Sequence, residues 1–288
     1  MRSLLFVPAD GGAKLDKAMA SGADAVILDL EDSIAPERKA HARAAASDFL
    51  KAAQGKTQRP RLLVRINGLD TGMIDADLDA VVAGKPDAIL FPKAEGGATV
   101  THLNAKLTAR EAIAGLPEGT IKILAQTVES AAGLFSAGTY RNSSARLIGI
   151  TWGPEDLLAE LGAESNREAD DTLTEPYRLA RSFCLFGAAA AKVSAIETIH
   201  VNFRNPEALR RDTELARRDG FSGRLAIHPA QVAVINEVFT PTPEQIAKAK
   251  AVVAAFAAQP GAGAVSIDGK MYDRPHLLRA QALLARIG

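Results

Sequence analysis

Residues 22–32 read Gly22-Ala23-Asp24-Ala25-Val26-Ile27-Leu28-Asp29-Leu30-Glu31-Asp32. A short, uninterrupted apolar run leaves a glycine turn and ends in a cluster of acids. A strand covered on both faces shows no polar alternation, so such a run is what a buried parallel sheet requires. Outward from it the pattern recurs. Strands are expected at Leu4–Val7, Ala25–Leu30, Leu62–Ile66, Ala88–Phe91, Ile121–Ala125, Leu147–Thr151, Ala195–Val201 and Leu225–Ile227. Stretches of helical period lie between them: Lys14–Ala20, Glu37–Ala53, Asp75–Val82, Thr99–Ala114, Ser130–Phe135, Glu155–Leu161, Pro176–Ala191 and Pro206–Arg218. Pro36 precedes the second helix, where a fixed φ suits a helix start. Gly22, Gly84 and Gly220 follow helices where a left-handed cap is wanted.

Eight strand–helix alternations predict an α/β chain closed into a (β/α)8 TIM barrel. A doubly wound open sheet fits less well, because no G-x-G-x-x-G follows the first strand. Surplus chain remains after the eighth strand: a helix over Pro241–Ala257, a Pro260–Gly263 loop, a mixed segment Val265–Tyr272 and a last helix Pro275–Arg286. The expected organisation is a catalytic barrel over 1–240 and a C-terminal helical extension over 241–288 that packs on the barrel or reaches a neighbouring subunit.

Composition narrows the function. The 288 residues carry 34 basic and 34 acidic side chains. That balance argues against nucleic acid, whose binders carry surplus Lys and Arg. The single Cys, Cys184, excludes a disulfide framework and fits a reducing, cytoplasmic setting. The longest late apolar run, Ala251–Ala258, is too short for a membrane span, and Pro8 closes the short apolar N-terminus. One Trp and 5% aromatic residues leave little material for a sugar-stacking cleft.

Catalytic groups of such barrels stand at the C-terminal strand ends. Applied along the chain, that rule gathers Asp29, Glu31, Asp32, Arg65, Lys93, Glu129, Gly153, Pro154, Asp156 and His228. Clustered acids suggest Mg2+, which one or two carboxylates hold with substrate oxygens and waters. Glu129 and Asp156 are the candidate metal ligands; the alternative is that each caps a helix start. Arg65 offers a bidentate fork to a substrate carboxylate, or an internal salt bridge to Asp29, Glu31 or Asp32. Asp29 and Asp32 orient Arg65 or hold metal-bound waters, or stabilise a turn. Lys93 is a Schiff-base nucleophile, a partner for substrate charge, or a structural lysine bridged to an acid. His228 is a group at the mouth or equally a hydrogen-bonded core histidine, and Cys184 reads as packing.

The motifs come in a recognisable order: Leu5-Phe6-Val7-Pro8; Gly22 to Asp32; Val64-Arg65-Ile66-Asn67-Gly68; Pro92-Lys93; Thr127-Val128-Glu129-Ser130-Ala131; Gly153-Pro154-Glu155-Asp156-Leu157; Ala226-Ile227-His228-Pro229 with Gln231; and Gly269 to Pro275. The series resembles the citrate lyase β-subunit-like proteins of the HpcH/HpaI aldolase superfamily, whose relatives include malyl-CoA and citramalyl-CoA lyases. The resemblance implies a Mg2+-dependent carbon–carbon lyase of the oxo-acid-lyase type. Its substrate would be a 3-hydroxyacyl thioester such as malyl-, citramalyl- or citryl-CoA. It carries metal ligation to Glu129 and Asp156 and carboxylate binding to Arg65, aided by Gly153 and Pro154. Glu31 joins Asp29 and Asp32 behind the site. Asp273 is implied as an acid/base reaching a neighbouring subunit of a homotrimer or hexamer. Partners are then an oxo acid and a CoA or carrier-protein thioester. The alternatives are a β-subunit-like component needing an acyl carrier, or a Schiff-base aldolase using Lys93. Departures from the family pattern fall at Ala9-Asp10-Gly11-Gly12, Gln126 and Asn202.

Overall fold

The computed structural model describes residues 1–285. Eight parallel strands close a barrel in sequence order: β1 Ser3–Pro8, β2 Ala25–Asp29, β3 Arg61–Arg65, β4 Ala88–Phe91, β5 Lys122–Thr127, β6 Leu147–Trp152, β7 Ser194–Glu197 and β8 Gly223–Ala226. The helices between and after them are α1 Ala13–Met19, α2 Lys39–Ala53, α3 Ile74–Val81, α4 Gly97–Ile113, α5 Ala131–Phe135, α6 Pro154–Leu161, α7 Glu175–Ala191, α8 Pro206–Asp219 and α9 Pro229–Phe239. Closure comes from β1 pairing with β8, Leu4 opposite Leu225.

Successive strand residues point to opposite faces. Leu4, Ile27, Leu63, Leu90, Leu124, Ile196 and Leu225 fill the barrel interior. Their neighbours, Leu5, Val26, Leu28, Val64 and Ile89, pack outward against the helices in the larger core. A continuous apolar run therefore serves two cores at once.

Three local departures from the sequence reading have physical causes. Strand β7 stops at Glu197, four residues short of the apolar run. Beyond it the Gln231 amide takes over backbone pairing: its Nε2 donates to His200 O at 2.8 Å, and its Oε1 accepts from Ile227 N at 2.8 Å. Helix α9 is absent from the sequence reading, although Val232, Ile235, Val238 and Phe239, three and four apart, form its buried face. Gly84 is not a left-handed cap; Lys85 adopts that conformation, with φ 54°. A Cβ on Gly84 would lie 2.7 Å from Leu50 Cβ, so this glycine lets α2 approach closely.

The starts of β5 and β6 are pinned by a buried ion pair. Arg146, just before β6, pairs with Glu111 of α4 at 2.7 Å. Glu111 also accepts from the backbone N–H groups of Ile121 and Gly119, at 2.7 and 2.9 Å.

A second compact unit begins at Thr240. It holds α10 Pro243–Ala258, a two-stranded hairpin of β9 Ala264–Ile267 and β10 Lys270–Asp273, and α11 Arg274–Leu284. The mixed segment of the sequence is thus this hairpin, and Arg286, the expected helix end, lies outside the described residues. Helix α10 starts with a capping box between Thr242 and Gln245. Val252, Phe256, Val265 and Ala280 form a small core of its own. No helix among the described residues is long and apolar enough to cross a membrane.

Removing one partner of a buried ion pair strands the other. Arg146→Met is therefore expected to lower the unfolding free energy by about 3–5 kcal/mol in urea titration; a loss near zero would show that Glu111 is satisfied without it. Asp212 of α8 is held down to about 2, although burial pushes it up, by hydrogen bonds and charge from His200, Arg224 and Arg167. A carboxylate depressed in the folded state adds stability above its unfolded value of 3.8, lost as pH falls through about 2. Asp212→Asn should remove about 2 kcal/mol at neutral pH and flatten the acid limb between those values.

Candidate active site

The site begins with two exits held together. As β2 leaves the sheet, Lys39 Nζ donates to Leu30 O, Glu31 O and Asn67 Oδ1, each at 2.7 Å. One ammonium thereby fixes the chain after β2 to the chain after β3. Asp77, fully buried on α3, accepts from Asn67 N and Nδ2 at 2.7 Å and pairs with Arg43.

On that platform stands Arg65, the last residue of β3. Its Nε and Nη2 grip both oxygens of Asp29 at 2.7 Å. Nη1 reaches Asp32 at 3.2 Å and lies 2.9 Å from Glu31 Oε2, though out of hydrogen-bonding alignment. The guanidinium also stacks 4.8 Å over the Phe6 ring. The charge of these acids and their hydrogen bonds hold Arg65 protonated against burial. The bidentate edge is thus spent on Asp29. Arg65 still lines a cavity of about 450 Å3 at the barrel mouth, with Phe6, Gln126, Gly153, Pro154 and Asp156.

Lys93 links the two halves of the mouth. Its Nζ stands 3.0 Å from Glu31 Oε1 and 3.4 Å from Asp156 Oδ1, and its backbone N–H donates to Glu129 Oε2 at 2.5 Å. The flanking carboxylates raise the ammonium above its ordinary range, although burial alone would lower it. A Schiff-base lysine needs the opposite shift. Of the three readings, the geometry favours the lysine bridged to acids.

Glu129 is buried, with its carboxylate also accepting from Gln126 Nε2. Burial first, then the charges of Glu31 and Asp156, push it well above the ordinary carboxylate range. Burial likewise raises Glu31 to about 7, against the opposing pull of Arg65. Gln126 Oε1, beside Glu129, is buried without a hydrogen-bond partner among the described residues. A Cβ on Gly153 would lie 2.6 Å from Glu129 Oε1, so only glycine leaves room for this carboxylate. The backbone is strained here as well. Val128 has φ 55° and Lys93 φ 48°. A β-branched residue in that region costs about 1–2 kcal/mol, which the surrounding packing must hold.

Asp156 lies in the first turn of α6 and lines the same cavity. Among the described residues there is no cluster of three or more His, Cys, Asp or Glu that could hold a metal. Two carboxylates and an unpartnered amide oxygen are instead the sparse hard-oxygen set that Mg2+ accepts alongside waters and substrate. Asp273 belongs to the second unit, where it caps α11 and pairs with His276. His228 stacks on Phe203, ring centroids 4.6 Å apart, rather than sitting in a core. Cys184 is buried packing.

A family model described as HpcH/HpaI aldolase/citrate lyase matches residues 2–229. The chain is 35% identical to the citrate lyase subunit beta of Leuconostoc mesenteroides subsp. cremoris, over 98% of this chain and 92% of that one. It is 36% identical to a (3S)-malyl-CoA thioesterase of Cereibacter sphaeroides, over 99% and 94%. Among solved structures it is similar to CitE from Mycobacterium tuberculosis in complex with magnesium, acetoacetate and coenzyme A, at TM-score 0.76 and 33% identity, over 99% and 97%.

Arg65→Met should leave Asp29 and Glu31 buried without their counter-charge and lower stability by about 3–5 kcal/mol by chemical unfolding. A nearly neutral result would mean that Lys93 and Lys39 already balance these acids.

Proposed function

The chain belongs to the HpcH/HpaI aldolase/citrate lyase family, and from that premise we propose that it is a Mg2+-dependent carbon–carbon lyase. Its substrate class is a 3-hydroxyacyl thioester such as malyl-, citramalyl- or citryl-CoA. The products are an acyl thioester and a 2-oxo acid. The observation that carries this reading is the buried Glu129 carboxylate facing Asp156 across Lys93, with fewer fixed cations than acids around it.

Glu129 and Asp156 would hold Mg2+, with Gln126 Oε1 beside them. When bound, the ion supplies Lewis-acid stabilisation of the oxygen that becomes the new carbonyl. Arg65 presents its remaining N–H edge to the substrate carboxylate, with Asp29 fixing the plane of the guanidinium. The Gly153 backbone, at the start of α6, offers a helix N-terminus to the same anion. Lys93 stays protonated and balances charge between Glu31 and Asp156. In cleavage the substrate hydroxyl gives its proton to a base, a water at the mouth, its oxygen becomes the new carbonyl, and the bond to the thioester α-carbon breaks. The electron pair stays on that carbon as the thioester enolate, which then takes up a proton. Asp273 of a neighbouring subunit is the proposed donor, in a trimer or hexamer. The thioester carrier is CoA or an acyl-carrier protein, and the setting is the cytoplasm, in keeping with a lone buried Cys184.

The test is turnover of malyl-CoA, citramalyl-CoA and citryl-CoA with Mg2+ and with EDTA. Release of an oxo acid from at least one, abolished by EDTA and restored by Mg2+, is expected. Glu129→Ala should keep the fold and lower kcat/KM by about 100-fold or more. Full activity in EDTA, or trapping of Lys93 by borohydride with an oxo acid, would overturn the metal route. Release of free CoA without an oxo acid would instead mark a thioesterase.

A further inference from the structure

Behind the β6–β8 wall, a second cavity of about 280 Å3 lies between the sheet and helices α7 and α8. Five arginines and four carboxylates line it, leaving one positive charge in excess. Most of that charge is neutralised in place. Arg167 pairs with Asp212 at 2.8 Å, and Arg181 binds Glu197 at 2.5 Å and Asp219 at 2.8 Å.

Arg224 is the exception. It follows Gly223 on β8 and points away from the barrel interior, which Leu225 fills. The residue is 1% exposed. Among the described residues its guanidinium makes one hydrogen bond, to Thr213 Oγ1 at 3.4 Å, and its nearest carboxylate, Asp212 Oδ2, is 3.6 Å away. That oxygen already serves Arg167 and His200, at 2.8 and 3.1 Å. Arg224 Nε has no hydrogen-bond partner among the described residues, and neither has Arg181 Nη2. A guanidinium cannot shed its charge at ordinary pH, so a buried one that only shares a carboxylate with other cations is costly. Both side chains line the cavity, together with Trp152, Leu173, Ile199 and Leu215.

We propose that this cavity is a second ligand site, for the carboxylate of a small organic acid with a short aliphatic tail. Arg224 Nε and Arg181 Nη2 are the donors left over for one carboxylate. The apolar side chains around them suit a hydrocarbon tail and exclude a fully hydrated inorganic anion. The site also shares a wall with the mouth of the barrel. Trp152, Pro154, Thr198 and Ile199 line both cavities. Occupancy therefore presses on the β6 end that leads into Gly153 and Asp156. The proposal goes beyond the lyase reading and does not depend on it.

Trp152 is the chain's single tryptophan, so its fluorescence reports both cavities that it lines, and the variants below tell them apart. Butyrate is titrated into the full-length protein, with butyramide and chloride as controls and thermal unfolding as a second readout. The expected result is a saturable fluorescence change and a higher Tm with butyrate alone. Arg224→Met should weaken that response by about 10–100-fold, the loss of a charged hydrogen bond. Leu215→Phe, on the partly exposed face of α8, narrows the cavity and should weaken it by about tenfold even if Arg224→Met fails to fold. Neither position lines the mouth cavity, so butyrate bound there would leave both variants unaffected and overturn the proposal. No saturable change, or equal changes with chloride or butyramide, would overturn it as well.

Discussion

The architecture of the mouth rests on an imbalance of buried charge. Asp29, Glu31 and Glu129 are buried and Asp156 is partly covered, while Arg65 and Lys93 stand among them and Lys39 lies behind on the backbone of Glu31. Carboxylates taken out of water need cations or hydrogen bonds, and the cations here are already shared among them. Asp29 consumes the fork of Arg65, Glu31 consumes Lys93, and Glu129 is left with one backbone N–H and the Gln126 amide. Glu129 and Glu31 are raised above their ordinary range for that reason. A hard dication resolves the imbalance without another side chain.

The backbone is bent to keep that arrangement. Val128 and Lys93 occupy left-handed conformations on either side of the Glu129–Lys93 contact, and Gly153 surrenders a side chain so that the carboxylate has space. Strain of this kind persists only where the surrounding core over-determines it. Val128 is fully buried among the outward-facing strand residues, so the core that builds the barrel also holds the distortion.

Much of this was legible in the chain. Eight apolar runs located the strands because a strand covered on both faces needs no alternation, and the strand-end rule then placed Arg65, Lys93, Glu129 and Asp156 at one mouth. What was not legible depends on distance. A sequence cannot say that Asp29 rather than a ligand takes both nitrogens of the Arg65 fork, nor that Gly153 touches Glu129. The apolar run continues past the end of β7 because an amide from α9, thirty-odd residues later, replaces its ladder. The arginines behind β8 carry no motif at all; only the fold brings Arg181 and Arg224 to one cavity. For Asp273 the family resemblance implies an acid/base where the sequence alone favours a turn aspartate before Arg274-Pro275, and within its own unit the residue is a helix cap paired to His276.

The central claim is that Glu129 and Asp156 share one divalent ion. Crystals grown with Mn2+ in place of Mg2+ and measured at the manganese edge test it most directly. The account predicts a single anomalous peak within about 2.3 Å of a carboxylate oxygen from each residue. A peak elsewhere, or one bound to Asp29 and Glu31 with Glu129 left on Gln126 and Lys93, would contradict it.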